Sequence, residues 1–85
     1  MALLFIGIDP NTEEDKCPAA WVDTEAKGEP EIIFQGWLAD EQIQAECRKD
    51  SHHPDDEAVI RMPYRMIDII RKACDAAEQA AVGDL

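Results

Sequence analysis

The sequence predicts a two-layer α+β fold, with a mainly antiparallel sheet, a long C-terminal helix and the element order β-β-β-α-β-α. Three observations carry that expectation. The segment Leu3-Leu4-Phe5-Ile6-Gly7-Ile8 is continuously apolar and is followed by two further strand-like segments separated by turn residues. From Met66 to Ala81, apolar residues recur at steps of three and four, as on one side of a helix. Hydrophobic residues make up 46% and charged residues 32% of 85, enough for one core and one sheet in a single domain, residues 1–85, but not for two domains around a deep cleft.

Leu3–Ile8 has no polar alternation, so it is expected to be covered on both faces and to lie at the centre of the sheet. Asp9-Pro10-Asn11-Thr12 is turn chemistry, and the polar run through Lys16 to Cys17-Pro18 reads as an exposed connection. Ala19–Asp23 and Glu31–Trp37 then form a hairpin across a loop containing Gly28 and Pro30. In the second of these, alternation sets Ile32 and Phe34 on one face and Ile33, Gln35 and Trp37 on the other. Asp40 is placed to cap a helix running to about Asp50, whose apolar stripe of Ile43 and Cys47 is thin. Ala58–Met62 is expected to be a fourth strand, and Pro63 fits the first turn of the helix over residues 64–81. The expected core is Leu4, Ile6, Ile8, Trp21, Ile32, Phe34, Ile43, Ile60, Ile67 and Ile70, with Ile33 and Trp37 as exposed apolar residues.

The charge is strongly one-sided: 19 acids against 8 bases give −11. Residues 1–60 carry 15 acids and 4 bases, whereas residues 61–85 carry 4 of each, with Arg61, Arg65, Arg71 and Lys72 forming a local basic stretch. A molecule so charged repels phosphate at long range, which argues against direct nucleic-acid binding. The apolar run Ala2–Ile8 falls far short of the roughly 20 residues that span a bilayer, so no membrane association is expected. With no basic segment ahead of that run and Asp9-Pro10 after it, it does not read as a signal peptide, and a cytoplasmic location is expected. Cys17, Cys47 and Cys74 form no CxxC pair and are expected to stay reduced.

Chemistry-bearing patterns are sparse. Cys47, His52 and His53 lie close in sequence, but one cysteine and two adjacent histidines do not supply four tetrahedral zinc ligands. Asp9, Asn11, Glu13 and Asp15 alternate like calcium ligands, yet Glu14 stands where such a loop needs glycine and Ala20 where it needs a bidentate glutamate. No metal is therefore assigned. Gly7, Gly28, Gly36 and Gly83 are too scattered to cradle a phosphate, and no cofactor is expected.

Two resemblances add to this reading. Phe5-Ile6-Gly7-Ile8-Asp9-Pro10, followed by Ala19-Ala20-Trp21-Val22-Asp23 and another strand, resembles the first three strands of the RNase H-like superfamily, in which Holliday-junction resolvases open on a similar Gly-Ile-Asp-Pro stretch. That resemblance implies a strand-end carboxylate, matched by Asp9, that holds a divalent metal for phosphodiester cleavage. Asn11 stands where that pattern has glycine, and an 85-residue chain largely lacks the elements bearing its other carboxylates. Gly7-Ile8-Asp9-Pro10-Asn11-Thr12, Cys17-Pro18-Ala19, Val22-Asp23, Phe34-Gln35-Gly36-Trp37 and Val59-Ile60-Arg61-Met62-Pro63 with Arg65-Met66 together resemble a family of small acidic actinobacterial proteins. Members of that family are often encoded among helix-turn-helix regulators, which implies a regulatory accessory role.

The leading expectation is a small acidic protein-interaction module that engages a basic partner, with no assembled catalytic set. A metal-dependent phosphodiesterase using Asp9 is the alternative. The candidate partner- or anion-binding residues are Arg61, Arg65, Ile33 and Trp37. Arg61 and Arg65 flank Pro63 at a helix start, where cations oppose the helix dipole and call for a compensating anion. That anion is either internal, from acids such as Asp55, Asp56, Glu57 or the hairpin carboxylates, or an external phosphate, sulfate or carboxylate. Ile33 and Trp37 are read as a sheet surface that another copy of the chain covers in a homo-oligomer.

Overall fold

Three strands at the start of the chain and one helix at its end build the packed half of the molecule. The computed structural model describes residues 2–11 and 17–83. The strands β1 (Leu3–Ile8), β2 (Ala19–Asp23) and β3 (Glu31–Gln35) form an antiparallel sheet in the order β1-β2-β3. A second ribbon pairs β4 (Trp37–Leu38) with β5 (Ile60–Arg61), on either side of helix α1 (Glu41–Arg48). A 3₁₀ turn, Tyr64–Met66, then leads into helix α2 (Ile67–Ala81). The α+β class and the element order agree with the sequence reading. Residues 12–16 of the expected β1–β2 connection lie outside the described residues.

Helix α2 lies on one face of the sheet. Ala20, Val22 and Ala73 are fully buried between the two layers, with Ile6, Ile32, Ile69, Ala76 and Ala77 packed around them. Small residues on both sides let the layers approach closely. At Gly7 an added Cβ would stand 3.2 Å from Ile69, so glycine keeps the β1 backbone directly beneath the helix. The β1–β2 register slips between Phe5 and Gly7, a bulge that places Gly7 opposite Ala20 and Ile8 opposite Ala19.

Strand β1 is an end strand of its sheet, not the central one, which corrects the sequence reading. The central place belongs to β2, the strand with the most buried residues. An unbroken apolar run signals that both faces suit a dry environment; it does not say whether the same chain supplies the cover. The expected core is corrected with it: Leu4, Ile8 and Phe34 are exposed, and Trp21, Ile43, Ile60, Ile67 and Ile70 are half-buried, whereas Ile6 and Ile32, also half-buried, do pack against the core as expected. The buried hydrophobic residues are instead Ala19, Ala20, Val22, Ala39, Met66 and Ala73.

The second corrected element is the strand expected over Glu31–Trp37, which breaks at Gly36. There the chain passes so close to β5 that an added Cβ would lie 2.8 Å from the Arg61 carbonyl oxygen and 2.8 Å from the Met62 sulfur. Trp37 therefore leaves the sheet and enters the ribbon. Helix α1 starts where Asp40 Oδ1 accepts a hydrogen bond from the Ile43 N–H at 2.9 Å, a normal N-cap. It buries none of its residues, in keeping with its thin apolar stripe.

Candidate functional site

Strand register sorts the side chains of the sheet into two faces, because antiparallel partners project on the same side. Leu4, Val22 and Ile32, then Gly7, Ala20 and Phe34, lie toward α2. On the opposite face the rows are Leu3, Asp23 and Glu31; Phe5, Trp21 and Ile33; and Ile8, Ala19 and Gln35. This second face is open except at Ala19, which is buried. Phe5 is 57% exposed, Leu3 47%, Ile8 41% and Ile33 36%. Phe5 and Trp21 meet with ring centroids 6.0 Å apart at 54°, an aromatic pair at its middle. Asp23 and Glu31 border it at one end, and at the other Gln35 Nε2 donates to the Cys17 carbonyl at 2.8 Å.

Asp9, at the end of β1, is fully buried. Its two carboxylate oxygens accept from Arg65, Nε to Oδ1 at 2.6 Å and an Nη to Oδ2 at 2.7 Å, and Oδ1 also accepts from the Asn11 N–H at 3.0 Å. The backbone N–H of Asp9 donates to the Pro18 carbonyl at 2.8 Å. Arg65 sits in the 3₁₀ turn before α2, so this bidentate pair fastens the start of that helix to the end of β1. The guanidinium holds the Asp9 carboxyl below its ordinary pKa against the opposing effect of burial, with the Asn11 N–H adding to the depression. Asp9 in turn raises the Arg65 pKa. A metal ion at Asp9 would first have to displace Arg65.

Arg61 takes a different partner. It lies opposite Trp37 in the β4–β5 ribbon, its guanidinium carbon 5.5 Å from the centre of the indole ring, a cation–π contact. The two arginines flanking Pro63 thus go to different places, one onto a buried carboxylate and one onto an aromatic face. The acid that meets Arg65 is none of the loop or hairpin acids that its sequence position suggested. A cleft of about 270 Å³ beside it is lined by Tyr64, Arg65, Ile67, Asp68 and Arg71, and the Arg71–Asp68 pair at 3.9 Å sets a carboxylate among its cations. Ile33 is on the open face as expected, whereas Trp37 is half-buried in the ribbon and not on that face.

Among the described residues, no group of three or more His, Cys, Asp or Glu side chains is placed to hold a metal ion. Glu13 and Asp15 lie outside the described residues. His53 Nε2 is 2.7 Å from the Glu57 carbonyl in the loop after α1, and Cys17, Cys47 and Cys74 are free thiols. No helix among the described residues is long and apolar enough to cross a membrane.

Leu3, Phe5, Ile8 and Trp21 are the members of the open face that sequence reasoning missed. A usable signal was present: only the segment after Pro63 has a wide apolar stripe, and one such helix covers one face of one sheet. No family model, curated protein or solved structure matches this chain.

Proposed function

We propose that this chain is an acidic protein-interaction module that engages a basic protein partner through the open face of its sheet. The observation that carries this reading is the row of exposed apolar side chains, Leu3, Phe5, Ile8 and Ile33, in a molecule of charge −11 with Asp23 and Glu31 at the border of the face. Contiguous exposed apolar surface with a polar rim suits a protein interface. The acidic rim and net charge select a partner whose own apolar patch is ringed by Lys and Arg, and they speed encounter with it. The resemblance to proteins encoded among helix-turn-helix regulators is consistent with a regulator as that partner.

A photo-crosslinking residue at position 33, compared with one at position 72 on the outer side of α2, tests the proposal. The expected result is one basic protein captured from position 33 and not from position 72, with an affinity that falls as salt rises. Capture from both positions alike, or binding indifferent to salt, contradicts it.

A further inference from the structure

Strand β1 combines three properties that sit badly together in an end strand. From Ala2 to Ile8 it contains no charge and no proline, two of the devices that keep a sheet edge from pairing, and its bulge falls after Phe5, which leaves Leu3–Phe5 regular. It ends the sheet on the side away from β2. Its backbone phase is set by two hydrogen bonds to the β2 side, from Thr24 N–H to the Ala2 carbonyl at 3.0 Å and from Asp9 N–H to the Pro18 carbonyl. Alternation from Ala2 then turns the N–H and C=O of Leu3 and Phe5 away from β2, out of the open edge.

We infer that β1 pairs edge to edge with β1 of a second copy, antiparallel about a two-fold axis, to make a continuous six-stranded sheet. Phase limits the pairing to the outward residues, and the register that uses Leu3 and Phe5 of both copies has Leu3 of one copy exchanging both hydrogen bonds with Phe5 of the other, with the two Leu4 residues facing each other at the axis. An apolar cleft of about 320 Å³ lined by Ala2, Leu3, Leu4 and Thr24 adjoins this edge and has room for side chains of the second copy. The second copy is the occupant because the edge is uncharged and apolar, so the acidity that recruits a basic partner elsewhere has no counterpart here. The strand of matching chemistry is β1 itself. In this assembly β1 becomes a central strand, the environment its composition suits.

This inference goes beyond the face reading and does not depend on it, since the edge uses backbone groups and leaves Ile33 and Trp21 uncovered. The two also respond to salt in opposite ways. Salt screens the attraction to a basic partner, whereas it relieves the repulsion between two −11 chains.

Analytical ultracentrifugation from micromolar to millimolar concentration, at low and high salt, tests it together with amide hydrogen exchange at Leu3 and Phe5. The expected result is a reversible dimer that tightens with salt, and exchange at both amides slowed about tenfold or more where the dimer dominates. The Phe5→Pro variant removes an outward N–H that the β1–β2 ladder does not use, and it should be monomeric at the same concentration. A monomer at every concentration, or a dimer in which the Leu3 and Phe5 amides exchange as fast as in the monomer, overturns the inference. The exchange measurement on the unsubstituted chain decides the matter even if the proline variant fails to fold.

Discussion

The two faces of the three-stranded sheet are made by the same strands, yet among the described elements only one face carries a helix, and even there Leu4 and Phe34 stay exposed at its margins. Toward α2, Ala20 and Val22 are fully buried and Gly7 lets the helix approach the backbone. Away from α2, Phe5, Trp21 and Ile33 form an apolar row that no described element seals. The difference follows from how much cover the chain can make. Among the described residues one helix has a wide apolar stripe, α2; α1 buries none of its residues. The side under α2 therefore holds the buried contacts between helix and sheet, and the open side is the one on which the proposed interface lies.

The strongest challenge to that division is Arg65→Met. It leaves the fully buried Asp9 carboxylate without its guanidinium and detaches the start of α2 from β1. We expect the largest fall in thermal stability of any single substitution discussed here, read by circular dichroism; a melt like that of the unsubstituted chain would show that the clamp is dispensable. The same pair sets an acid limit. Because the folded-state pKa of Asp9 is depressed, its contribution to stability is fully present above the ordinary carboxylate pKa and is lost as pH falls through the folded value. The melting temperature should decline from about pH 4 downward, and the Arg65→Met chain should lack this part of the decline.

A matched pair of truncations compares the faces directly. Val22→Ala removes methyl groups from a sealed site and should cost about 2 kcal/mol in denaturant titration, whereas Ile33→Ala on the open face should cost less than about 1 kcal/mol. Equal costs would erase the distinction. Gly7→Ala introduces a Cβ 3.2 Å from Ile69 under the helix and should cost roughly 1 kcal/mol, since Ile69 has to yield by a few tenths of an ångström. The smallest effect belongs to Asp40→Ala, which removes the cap of α1. It should lower the helical circular dichroism signal slightly and raise amide exchange in residues 41–48 while moving the main transition by about 1 kcal/mol or less.

Much of this fold was legible in the sequence because local chemistry decides it. The limits of β1 and β2 followed from hydrophobic pattern and turn residues, the α1 cap from Asp40, and α2 from its three- and four-residue spacing. Tertiary choices were not legible. Nothing local to Leu3–Ile8 says which strand takes the centre, and nothing near Arg65 says that its carboxylate is Asp9, 56 positions away. Gly36 could be seen, but its role depends on the distant backbone at Arg61. Alternation placed Ile33 on the open face, while Trp37 was misplaced because the strand ends before it.

The most direct test of the division between the faces is the affinity of the partner captured from position 33 for the Ile33→Asp chain, measured beside its melting curve. We predict binding at least about tenfold weaker with the thermal transition nearly unchanged, since the substitution charges an open face and touches no sealed contact. Unchanged affinity would contradict the account, and so would a collapse of the thermal transition, which would show Ile33 to be part of the core.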